Sequence, residues 1–199
     1  MSSLRIRTLK GLFWSAIERF SVQGLQFVLS IVLARVLAPS EYGLIGMTTI
    51  FVSISQALID SGFSQAVIQK KEVVEEDYYT VFYFNLSSSI LIYFILFLIA
   101  PFIADFYQEP ILINLIRIIS LNLIINALSI VQISKLSRNL DFKALTKSAI
   151  FSSLLSGSVA IYMAFNSWGV WALVAQLLGK SMINFLYLYY VSKWKPKLI

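Results

Sequence analysis

The sequence predicts an all-α polytopic membrane protein of six transmembrane helices, with both termini on the cytoplasmic side. Three observations predict it: an excess of apolar residues, six apolar stretches of membrane-crossing length, and a one-sided distribution of basic residues. Of the 199 residues 58% are hydrophobic and only 13% charged, and the mean hydropathy is +0.79. A soluble domain carries about 25% charged residues. The core of a chain this long does not need so much apolar sequence, so a lipid-facing surface explains it.

A helix needs ~20 mostly apolar residues to cross the hydrocarbon core. The stretches that qualify are residues 11–34, 43–63, 79–103, 111–134, 146–165 and 169–191. Glu18 and Arg19 interrupt the first, Arg117 the fourth and Lys180 the sixth. The connections are short and none reads as a soluble domain, so the chain is expected to form a single transmembrane lobe over residues 1–199. Ala104 to Pro110 is a polar run, and Pro110 is placed to start the fourth helix. The first stretch is too long and too polar for a signal peptide, with Glu18, Arg19, Gln23 and Gln26 in it, and is read as a retained helix.

With the N-terminus inside, the inner segments hold Arg5, Arg7, Lys10, Lys70, Lys71, Lys135, Arg138, Lys143, Lys147, Lys193, Lys195 and Lys197. The outer loops hold Arg35 alone. Short-loop Lys and Arg set orientation. The net charge of +6 is therefore a topology signal. Nucleic acid is not an expected partner, because no basic face is interleaved with aromatics on a soluble element.

The spans carry polar stripes at helical spacing. Ser15, Arg19, Gln23, Gln26 and Ser30 share one face of the first. Thr49, Ser53, Gln56 and Asp60 share one of the second, and Gln176, Lys180 and Asn184 one of the sixth. The fourth has Asn122, Asn126 and Ser129 on one side, with Arg117 and Ser120 roughly opposite. In the fifth, Ser148, Ser152 and Ser156 form one row, and Ala149, Ser153 and Gly157 another. Small residues at this spacing signal close helix packing. The stripes of the second and fourth spans fit packing as well as a cavity. Asp60 lies near a span end, where water reaches it, and Arg117 is within snorkelling reach of the outer interface.

Lys180 differs, because it lies near the midplane, beyond snorkelling reach. An intramembrane charge is costly and marks a functional site by default. Glu18 and Asp60 are its candidate ion-pair partners. Arg19 has Glu18 beside it, but residues i and i+1 point about 100° apart. These cations imply a polar cavity suited to a phosphate or carboxylate. The candidate binding residues are Arg19, Lys180, Gln23, Gln26 and Gln176, with Glu18 and Asp60 as counter-ion or ion-coupling carboxylates. Cysteine and histidine are absent, so disulfides, Cys/His zinc sites and Ser-His-Asp chemistry are excluded. There is no G-x-x-x-x-G-K-[ST] loop for ATP. No metal or cofactor is called for, and an enzyme is the least expected reading.

Four segments carry a family likeness: Ala34-Arg35-Val36-Leu37-Ala38-Pro39-Ser40-Glu41-Tyr42-Gly43, the stretch Asp60 to Lys71, Tyr79 to Leu86, and the set Gln132, Leu136, Arg138, Leu140, Asp141 and Phe142. In this order they resemble the connections of polysaccharide-export flippases. These belong to the multidrug/oligosaccharidyl-lipid/polysaccharide exporter superfamily, and the likeness is closest to the lipopolysaccharide and teichuronic-acid type. In the first loop, Pro39 is expected to stop a helix, Gly43 to permit a tight start to the next, and Glu41 to favour that helix N-terminus.

Family members are longer, with two pseudo-symmetric lobes around a central path. This chain corresponds to the N-terminal lobe. The resemblance implies translocation of a lipid-linked anionic oligosaccharide across a bacterial inner membrane. The implied partners are that lipid, the surrounding membrane lipids, and a second lobe or other polysaccharide assembly proteins. Two rivals remain: a multidrug or organic-cation antiporter of the same superfamily, which wants carboxylates facing the cavity, and a non-transporting assembly partner.

Overall fold

A computed structural model describes residues 2–59, 74–192, 194 and 196. Side chains are described from Phe13 onward, except those of Ser15, Ala16, Glu18 and Arg19. The described residues form seven helices and no strand: α1 (Ser2–Val36), α2 (Pro39–Ile59), α3 (Glu75–Tyr107), α4 (Ile111–Ile119), α5 (Leu121–Arg138), α6 (Phe142–Phe165) and α7 (Val170–Ser192). Among the described residues five spans, not six, are long and apolar enough to cross a membrane: α2, α3, Ile111–Arg138, α6 and α7; the first expected span is the shorter apolar stretch Phe20–Val36 of α1. The chain is a multi-pass all-α membrane protein.

Helices α4 and α5 make one span, broken at Ser120. The Ser120 hydroxyl donates back to the Ile116 carbonyl, a bond that bends helices. On α4, Leu112, Leu115, Ile116 and Ile119 are all fully buried, one helical face packed among α2, α3 and α7. This face anchors the main core, with Val52, Leu96, Ala100 and Val174 around it.

Helix α6 packs most closely with α7 and then with α1, and its two rows of small residues serve the two neighbours. Toward α7, Ser148 bonds Asn184, and the Ser156 Cβ lies 3.4 Å from where a Cβ on Gly179 would stand. Toward α1, a Cβ on Gly157 would come within 2.5 Å of Leu29 Cδ1. The packing expectation for these rows is met.

Several helix ends differ from the apolar boundaries. Helix α2 begins at Pro39 rather than at residue 43. Glu41, in its first turn, accepts from the Ala38 N–H at 2.8 Å. Gly43 lies inside α2 with open space around it, so it does not make the tight start expected of it. Glu41 also joins two connections: its carboxylate abuts Gly169, at φ +54 before α7, where a side-chain carbon would collide with it. Helix α3 starts four residues early, with Glu75, Glu76 and Asp77 in its first turn, where carboxylates offset the helix dipole. The Asp77 carboxylate accepts from the Val74 N–H. Helix α5 runs on through Lys135 and Arg138. Lys135 pairs with Glu75 at 2.7 Å and lies over the Tyr78 ring, while Trp194 Nε1 donates to the same carboxylate at 3.1 Å.

Helix α3 continues through Pro101. A proline has no N–H, so the carbonyl four residues back, on Phe97, loses its helical donor. Arg117 replaces it: its Nε donates to the Phe97 oxygen at 3.4 Å, and its guanidinium sits 4.0 Å from the Phe97 ring centroid. Arg117 thus turns to α3 instead of snorkelling to the interface.

Candidate functional site

A cavity of about 510 Å³ lies between α1, α2, α6 and α7. It forms because four helices turn polar or small residues to one place. Helix α1 supplies Gln26, α2 Tyr42, α6 Ser152, and α7 the row Gln176, Lys180 and Asn184. Ile45, Leu173 and Leu177 complete the wall. At 1.5 Å per residue, Gln26 and Lys180 each lie ~15 Å from the end of the bundle that holds the 37–38 and 166–169 connections. Tyr42 is within ~5 Å of that end and Asn184 ~21 Å from it. The cavity is therefore a trough running along α7.

Its chemistry is that of a donor-rich site with no carboxylate among the described lining residues. Lys180 offers three donors. No carboxylate among the described residues pairs with it, and none lines the trough. Gln26, Gln176 and Asn184 bring amides. The Ser148 hydroxyl, fully buried, bonds Asn184 Oδ1, and Ser152 donates to the Ala149 carbonyl at 3.1 Å. The Tyr42 hydroxyl is buried with no hydrogen-bond partner among the described residues. A cation among neutral donors, with no carboxylate beside it among the described residues, can attract an anion that also carries hydroxyl or carbonyl groups.

Of the residues singled out from the sequence, the structure brings together Gln26, Gln176 and Lys180. Gln23 is exposed on α1 and does not line the trough. The side chains of Glu18 and Arg19, and all of Asp60, lie outside the described residues. The stripes of α2 and α5 meet each other instead, with Asn126 Nδ2 donating to Gln56 Oε1 at 3.3 Å. Sequence reasoning missed Tyr42, Ser152 and Asn184 as lining groups. Asn184 and Ser152 stood in the polar rows, whereas Tyr42 stood in a loop motif with no periodicity to point at it. A second cavity, about 310 Å³ beside Phe51, Phe102, Phe106 and Tyr107, is apolar and holds no charge. Among the described residues no cluster of acidic side chains could hold a metal ion.

A bundle of apolar helices with a polar trough and a lysine inside a membrane-spanning helix defines a multi-pass membrane protein with a polar interior. The polysaccharide biosynthesis protein family matches over residues 32–199, and the chain belongs to that family. It is 27% identical over 94% of its length to the succinoglycan biosynthesis transport protein ExoT of Rhizobium meliloti, covering 38% of that protein. It is 29% identical over its whole length to the teichuronic acid biosynthesis protein TuaB of Bacillus subtilis, covering 42%. With the lipopolysaccharide biosynthesis protein WzxC of Escherichia coli the figures are 26%, 98% and 40%. The chain thus spans about two fifths of the length of these relatives. No solved structure matches it.

Proposed function

We propose that residues 1–199 form one lobe, the N-terminal half, of a transporter that flips a lipid-linked anionic oligosaccharide across the bacterial inner membrane for cell-surface polysaccharide synthesis. The observation that carries this reading is Lys180, with no carboxylate partner among the described residues, amid neutral donors in a trough within the membrane-spanning helices. The relatives' names, two for polymer biosynthesis and one for its transport, agree with it. The basic end, with Lys135, Arg138, Lys143 and Lys147, faces the cytoplasm.

The headgroup enters the trough while its lipid tail stays in the bilayer, and the site opens to each side in turn. Lys180 neutralises the phosphates or acidic sugars, and Gln26 and Gln176 fix the headgroup by hydrogen bonds. Arg19 adds a second cation in the inner half of α1, with Gln23 one turn away. Glu18 and Asp60 serve as counter-ions or as carriers of a coupling ion. No bond in the substrate is made or broken, so the lobe is not an enzyme. A cation antiporter would place a carboxylate in the trough, and among the described lining residues there is none.

The test is export in the full-length protein. Lys180→Ala is expected to lower glycan export by about tenfold or more at normal membrane level, as loss of one charge-assisted contact implies. Lys180→Arg is expected to keep most of it. A folded Lys180→Ala protein that exports like wild type contradicts the reading.

A further inference from the structure

The geometry points to a direction in which the headgroup lies: phosphates at Lys180, and the adjoining sugar toward Tyr42, whose hydroxyl reads it. This rests on the trough being the headgroup site, as proposed above. Tyr42 is held in place, because its ring packs on the cluster formed by Leu33, Leu37, Ala160, Ala164 and Leu173. Three helices therefore fix where its hydroxyl stands. Tyr42 lines the trough, and its hydroxyl, buried beside it, has no partner among the described residues. A buried donor left unpaired is costly, and native structures keep few of them without cause.

The two ends of the trough differ in what they leave available. Toward the basic end, the Asn184 oxygen is engaged by Ser148 and the Ser152 hydroxyl by the Ala149 carbonyl. Toward the other end, the Tyr42 hydroxyl is unengaged among the described residues, and Gln176 stands one helical turn from Lys180 on the same face. Tyr42 is neutral and can both donate and accept, which matches a sugar hydroxyl better than a phosphate. Along the helix axes it stands ~10 Å from Lys180, room for a pyrophosphate and its first ring. An anion at Lys180 with its sugar at Tyr42 fills both needs at once.

The test uses this chain in lipid nanodiscs and two probes, geranyl pyrophosphate and geranyl pyrophosphoryl glucose. Wild type is expected to bind the glucosyl probe more tightly. Tyr42→Phe, which keeps the ring and its packing, is expected to cut that preference by about five- to tenfold, the loss of one hydrogen bond, and to leave geranyl pyrophosphate affinity unchanged. A Tyr42→Phe variant that keeps the sugar preference, or weakens both probes equally, overturns the inference. So does a wild type with no sugar preference, in which case water satisfies the hydroxyl. Lys180→Ala is expected to weaken both probes. If it weakens neither, the headgroup site itself is wrong, a result separable from that of Tyr42→Phe.

Discussion

Lys180 and Arg117 are both cations within membrane spans, and the structure treats them in opposite ways. Arg117 is occupied: it supplies the donor that Pro101 denies to the Phe97 carbonyl, and it lies on the Phe97 ring. Lys180 faces a trough, and no carboxylate among the described residues is paired with it. Both are basic residues that interrupt an apolar stretch, and hydropathy alone does not tell which of them is satisfied by its neighbours. What separates them is whether the neighbouring helix presents a need of its own. In the bilayer core an unsatisfied carbonyl is costly, so a proline in one helix recruits a donor from the next. An intramembrane cation points to a ligand only after such needs have been met.

Substitutions at the helix contacts and at the two cations should separate packing from function. The largest effect is expected from Gly157→Leu, which forces α1 and α6 apart at Leu29 and moves the wall that carries Gln26. Overpacking costs about 1–3 kcal/mol or more, so folded yield in detergent should fall sharply. Leu91→Ile, at a position 63% exposed, should leave yield unchanged. Equal yields would remove close α1–α6 packing from the account.

Next is Arg117→Ala. It removes a charge-assisted hydrogen bond and a cation–π contact, so thermal stability should drop by ~1–3 kcal/mol, with export per folded molecule retained in the full-length protein. Pro101→Ala restores an N–H to the Phe97 carbonyl. In that background Arg117→Ala should therefore cost less, and a double-mutant cycle measures the difference. An additive cycle would mean that Arg117 does not answer the proline. Lys180→Ala should show the reverse pattern, with stability held and export lost. The smallest effect is expected at the basic end. Glu75→Gln breaks the pair with Lys135, which is partly exposed, and should cost about 1 kcal/mol or less.

The sequence makes the spans legible because apolarity records the bilayer: the described part of each expected stretch lies largely on helix, five of them long and apolar enough to cross and the first, Phe20–Val36, shorter. Helix ends are less legible, since they depend on capping groups beyond the hydrocarbon. Glu75, Glu76 and Asp77 extend α3, and Glu41 allows α2 to start at Pro39. The α7 row of Gln176, Lys180 and Asn184 is readable at four-residue spacing, and three helices face it as a trough. Tyr42 was not legible as part of that site. Its role depends on α1, α6 and α7 converging around one ring, and spacing along a single helix carries no record of that. The partner of Arg117 was hidden for the same reason, as Pro101 lies in another span.

Lys180 stands in a polar trough and Arg117 in a packed contact, and the two should differ in their access to water. The sequence contains no cysteine, so single cysteines can be read without background. Lys180→Cys and Arg117→Cys, made separately in this chain and reconstituted in lipid, should be treated with a charged, membrane-impermeant thiol reagent from both sides. Rapid labelling at 180 with little at 117 is the predicted result. Protection at 180, or faster labelling at 117, would contradict the account.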